Sequence, residues 1–165
     1  MKIAAVADAA RANAALIERF YSAFARRDVE TMLSCYGPDV VFRDPVFGAL
    51  SGREVRAMWR MLNARAVDLA IEFGKVAATG RHGSAHWEAR YTYTATGRPV
   101  HNRIDASFEF RDGSIARHVD RFSLWRWAGM ALGIQGALLG WLPPVRSVIR
   151  ARAAKALAAD MAANP

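Results

Sequence analysis

Residues 112–122 read Asp-Gly-Ser-Ile-Ala-Arg-His-Val-Asp-Arg-Phe. Asp112-Gly113 is a strong hairpin signal, because a tight two-residue turn needs positive φ and these residue types tolerate it. It predicts a strand on either side, Val100 to Arg111 before it and Ser114 to Trp125 after it. His118, Asp120 and Phe122 lie two apart on the second strand and so share a face. Phe122 belongs in the apolar interior, and Asp120 and His118 are expected to face it too. On the first strand the same parity turns Asn102, Ile104, Ala106, Phe108 and Phe110 inward, and His101, Arg103 and Asp105 outward. A carboxylate aimed at an apolar interior costs free energy unless it is paired. Asp120 is therefore a candidate for chemistry, its bland alternative being a buried ion pair to Arg43 or Arg90.

Working back along the chain, Ser84 to Thr94 predicts another strand, with Thr96-Gly97 as the turn that follows it. Val67, Leu69, Ile71 and Phe73 alternate with Asp68, Ala70 and Glu72, as a half-buried strand requires. Ser51 with Glu54 forms a capping box that opens a helix carrying Val55, Met58, Trp59 and Leu62. A short strand, Val40 to Phe42, runs into Asp44-Pro45. Farther back, Leu16, Ile17, Phe20, Tyr21 and Phe24 recur at helical spacing between Ala9 and Arg27. Asp28 caps a second helix with Val29, Met32, Leu33 and Tyr36 inward, ended by Gly37-Pro38. The order is helix, helix, strand, helix, then four antiparallel strands. It predicts an α+β fold, a curved sheet with helices on one face.

The fold domain is expected to span residues 1–125, with a helical extension over 126–165 packed on it. Trp127 to Leu142 is almost all apolar and carries four glycines; Pro143-Pro144 breaks it, and an arginine-rich amphipathic helix follows. The stretch is shorter than a bilayer span of about 20 residues. A lid or wall over a pocket is the favoured reading of this tail, ahead of an oligomer contact and of attachment to a membrane surface. Over half the residues are apolar and 23% are charged, which excludes a disordered chain. The net charge of +8 comes mostly from dispersed arginine, without a zinc-finger, RNP or basic-run motif, so no nucleic-acid partner is expected. Cys35 has no second cysteine to pair with and reads as a small buried hydrophobe. Met1 to Ala10 makes a poor signal peptide, and a cytoplasmic location is expected. No clustered cysteines or HExxH pattern marks a metal site, and no cofactor is expected.

Three segments carry a family resemblance over about Leu16 to Phe122. They are Arg19-Phe20-Tyr21-Ser22-Ala23-Phe24 with Asp28, then Val41-Phe42-Arg43-Asp44-Pro45-Val46, then Asp112-Gly113-Ser114-Ile115 with His118, Asp120 and Phe122. Together they resemble the NTF2-like superfamily, in its SnoaL-like and ketosteroid-isomerase-like branch, which implies a cone-shaped α+β fold and a homodimer. The Asp44-Pro45 segment is similar to the one that holds the ketosteroid isomerase base. Asp120 falls where limonene-epoxide hydrolase has a catalytic aspartate. Departures accompany the likeness: the isomerase oxyanion-hole positions match Phe20 and Ala106, which argues against steroid isomerisation by that route.

The resemblance and the strand parity together make Asp44, Asp120 and His118 the catalytic candidates. Phe20, Tyr21, Phe42, Trp59, Asn102, Ile104, Phe108 and Phe122 are the expected substrate-binding residues. The favoured reading is a cofactor-independent acid/base enzyme, an isomerase, cyclase or epoxide-hydrolase-like protein, acting on a small hydrophobic ligand. The alternative is a non-catalytic module for ligand binding or protein interaction, in which Asp44 merely caps its turn and arginines neutralise both aspartates.

Overall fold

The structure is a computed structural model that describes residues 2–164, with side chains from Ala5 onward; Met1 and Pro165 lie outside it. Helices α1 (Lys2–Ala25) and α2 (Val29–Ser34) lead into strands β1 (Tyr36–Asp44) and β2 (Gly48–Ser51). Helix α3 (Gly52–Arg65) comes next. The strands β3 (Ala70–Ala78), β4 (His82–Tyr93), β5 (Arg98–Arg111) and β6 (Ser114–Arg121) follow, and the tail forms α4 (Leu124–Leu132), α5 (Ile134–Leu139) and α6 (Pro143–Ala163). The six strands make one sheet in the order β2-β1-β6-β5-β4-β3.

The local signals named from sequence mostly form. Asp112 and Gly113 both take positive φ, 52° and 73°, in the β5–β6 turn. Asp28 accepts the Thr31 N–H at 3.1 Å, and the Ser51 N–H donates to Glu54 at 3.0 Å. Alternation on β5 buries Asn102, Ile104, Ala106 and Phe108 and exposes Arg103 and Asp105. The apolar stripe of α1 fills the concave side of the sheet, with Ile17, Phe20 and Tyr21 fully buried.

The structure corrects six expectations. Tyr36 is not on the second helix: that helix ends at Ser34, and Tyr36 opens β1, pairing with Ile115 of β6. Gly37-Pro38 lies inside this strand instead of ending a helix. The β1–β6 pair is parallel, so the sheet is not wholly antiparallel, and the short strand β2 beside β1 is additional to those expected. The third strand begins at Ala70, leaving Val67 83% exposed. Side chains hold the segment before it in place of ladder bonds: Asp68 accepts both the N–H and the hydroxyl of Thr92. The last strand stops at Arg121, because Ser123 accepts the Arg126 N–H and caps α4.

The tail packs on the domain through a second small core of Val100, Leu124, Trp127, Ala128, Ala131 and Ile149. A bond between side chains helps pin it: the buried indole of Trp127 donates to the Tyr91 hydroxyl at 2.8 Å. Tyr91→Phe leaves that N–H without its acceptor and is expected to cost about 1–2 kcal/mol. Thermal unfolding should show a melting temperature lower by roughly 3–6 °C. An unchanged value would mean that this bond does not anchor α4.

Candidate active site

Between the open end of the sheet, α3 and the tail lies an apolar cavity of about 370 Å³. Asp44 reaches it from the end of β1, and Asp120 from β6 beside it. Phe42, Trp59, Asn102, Ile104 and Phe122 also border it. Three residues expected there do not. Phe20, Tyr21 and Phe108 are buried in the core. Phe20 packs edge-on to Tyr21, Tyr36, Trp59 and His118 because α1 lies over this part of the sheet and fills it. His118 does not reach the cavity either: it is wholly buried and lies behind Asp120.

Asp44 does make the turn bonds of a loop aspartate. One carboxylate oxygen accepts the N–H of Val46 at 2.9 Å and of Phe47 at 2.5 Å. Yet burial dominates and pushes its pKa up to about 7. The neighbouring charge of Asp120 adds to this rise, while the backbone N–H bonds oppose it. The ion pair considered for Asp120 does not form: Arg90 bonds Glu72 and Glu88 on the outer face, and Arg43 is exposed. Among the described residues, neither aspartate has a lysine or arginine within salt-bridge distance.

Compared with known families, the chain matches the SnoaL-like domain over residues 17–118. It belongs to the SnoaL-like family. Solved structures of similar fold include a candidate polyketide cyclase from Silicibacter sp. (21% identity, TM-score 0.63, covering 70% of this chain and 91% of that one). A second is a protein of ketosteroid-isomerase-like fold from Catenulispora acidiphila, in complex with trimethylamine (15%, TM-score 0.64, 78% and 97%). A third is Bal32a from a soil-derived mobile gene cassette (20%, TM-score 0.66, 74% and 98%). At these identities the likeness is one of fold. No curated protein sequence matches the chain.

In this SnoaL-like domain the family match ends at His118, two residues short of Asp120. Behind Asp120 runs a buried chain of hydrogen bonds. Trp59 Nε1–H donates to Tyr36 Oη at 3.0 Å, Tyr36 Oη lies 2.7 Å from His118 Nδ1, and His118 Nε2 lies 2.9 Å from Asp120 Oδ1. The indole of Trp87 donates to the same oxygen at 3.2 Å. An indole can only donate, so the Tyr36 oxygen accepts from Trp59, and the acceptor left for its own proton among the described residues is His118 Nδ1. That leaves the His118 proton on Nε2, aimed at Asp120. The imidazole and the carboxylate thus satisfy each other. Tyr21, also buried nearby, has no hydrogen-bond partner for its hydroxyl among the described residues, and burial raises its pKa well above the ordinary value.

Sequence reasoning missed Tyr36 because the Gly37-Pro38 pair looks like a helix end. The signal was present in the parity: Tyr36, Val40, Phe42 and Asp44 all sit at even positions, and the first three are buried. Sequence reasoning expected the tail as a lid or wall but named none of the six tail residues that border the cavity, Trp127, Leu132, Ile149, Arg152, Ala153 and Ala156, nor Arg65 on α3. Arg152 interrupts an otherwise apolar stripe of Ile149, Ala153 and Ala156 on α6, which was the available clue.

Proposed function

We propose that this SnoaL-like protein is an acid/base enzyme that acts on a small apolar substrate without a cofactor. The observation that carries this reading is the pair of carboxylates in one apolar cavity with no cation bonded to either among the described residues. Such pairs divide the work of acid and base. In this reading Asp120, at the cavity wall beside Asp44, takes a proton from a carbon acid or a water. Asp44, with a pKa of about 7, is suited to hand a proton to oxygen as charge develops there. Isomerase, cyclase and hydrolase steps all use this arrangement. The tail helices, which wall the cavity, serve in this reading as its lid.

Arg65 and Arg152 also border the cavity, and neither is ion-paired among the described residues. A substrate with an apolar body and an anionic end fits this distribution. The test is a thermal-shift screen with apolar ketones, epoxides and carboxylates on the wild type, Asp44→Asn and Asp120→Asn. A ligand at 100 times its Kd stabilises by about 2.7 kcal/mol. Ligands that stabilise the wild type, are ranked differently by the two variants and are turned over only by the wild type would support the reading. A screen in which nothing binds, or in which ligands bind all three proteins alike and none is turned over, would leave a non-catalytic module.

A further inference from the structure

We propose that the outer face of the α4–α5 hairpin docks on an anionic lipid bilayer. The inference begins with the glycines. Helix α5 lies so close to α4 that a Cβ on Gly136 would stand 2.0 Å from the Ala128 carbonyl oxygen. Gly129 faces Ala137 across the same contact, at 3.5 Å from the position of its Cβ. The small residues therefore take the inner side of the hairpin, and the bulky ones are left outside. Ile134 is 76% exposed, Leu138 64%, Trp141 61% and Trp125 50%.

These side chains form a connected ridge. The Trp125 indole donates to the Ala137 carbonyl at 2.7 Å, and the Trp141 indole donates to the Leu138 carbonyl at 3.0 Å. Both indole N–H groups are thus satisfied by backbone, and the rings add apolar surface. Folded domains rarely leave such a ridge in water without a partner.

Charge selects the partner. From Ser123 to Ala159 the chain holds Arg126, Arg146, Arg150, Arg152 and Lys155 and no aspartate or glutamate. All five are exposed; Arg152 borders the cavity and Arg150 donates to the Pro45 carbonyl, which leaves Arg126, next to Trp125, and Arg146, five residues after Trp141, as the cations that adjoin the ridge in the chain. Two copies meeting through this face would set arginines against arginines, with no carboxylate in the segment to pair them. A bilayer with anionic headgroups takes both components: acyl chains receive the tryptophan and leucine ridge, and headgroups receive Arg126 and Arg146. No helix among the described residues is long and apolar enough to cross a membrane, so the contact is peripheral. Helix α4 also walls the cavity, through Trp127 and Leu132. The proposal does not depend on the chemistry assigned to that cavity.

The experiment is vesicle flotation of the full chain with phosphatidylcholine alone and with phosphatidylcholine plus phosphatidylglycerol. Size-exclusion chromatography runs alongside. Leu138→Ser/Trp141→Ser removes the ridge, and Arg126→Gln/Arg146→Gln removes two cations that make no side-chain bond among the described residues. The wild type is expected to float with the anionic vesicles and to be released by salt. Each double variant should lower the partition coefficient by about tenfold or more. Three results would overturn the proposal: no flotation of the wild type, variants that float as well as the wild type, or a wild-type dimer that the ridge variant turns into a monomer. The last would assign the face to a second copy of the chain.

Discussion

Asp44→Asn is expected to be more stable than the wild type at pH 8 and equally stable at pH 4. The folded pKa of Asp44 is about 7, against 3.8 for an aspartate in water. Below pH 3.8 the carboxyl is protonated in both the folded and unfolded chain and costs nothing. Between these values the folded state binds a proton that the unfolded state has lost, so stability falls as pH rises through the window. Above pH 7 the folded chain carries a buried charge, and the full penalty is present. A carboxyl raised this far destabilises the fold, once ionised, by at most about 4 kcal/mol. Asparagine keeps the oxygen that accepts the Val46 and Phe47 N–H groups and removes the charge. Melting curves at pH 4, 6 and 8 should show the gap between the two proteins opening to roughly 6–12 °C. A variant less stable at every pH would show that the carboxylate is structural.

The opposite outcome is expected at His118. His118→Leu fits the apolar cage of Phe20, Phe42, Trp59 and Phe108 but strips Asp120 of one of its two donors. It also leaves the Tyr36 hydroxyl without its acceptor. Leaving a buried charge short of partners costs about 3–5 kcal/mol. Adding Asp120→Asn removes the charge, so the double variant should recover about 2 kcal/mol of that loss. Urea unfolding of the wild type, the two single variants and the double variant completes the cycle. Strictly additive costs would mean that the imidazole fills space and does nothing for the carboxylate.

The part of the fold that was legible in the sequence is the part governed by local rules. The Asp112-Gly113 turn, the Ser51–Glu54 capping box and the parity of β5 depend on residues close in the chain, and each formed. The parallel pairing of β1 with β6 was not legible, because nothing local to Tyr36 or Ile115 announces a partner so distant in the chain. Of the site, parity and family likeness brought Asp44 and Asp120 to one cavity. They could not show that α1 fills the end of the cone where Phe20, Tyr21 and Phe108 lie. The tail was expected as a lid or wall, but which of its residues border the cavity was not legible, since that depends on how the tail folds back.

The buried hydrogen-bond chain behind Asp120 ends at Trp59, and an indole has no lone pair with which to take a proton onward. The chain is a closed siding and not a conduit: protons cannot be drained through it to the outer solvent. On the function proposed above, a proton captured by Asp120 leaves by the side on which it arrived, through the cavity. Chemistry that returns each proton to the molecule it came from, as shifting a double bond or closing a ring does, suits such a dead end better than chemistry that must export one at every turnover.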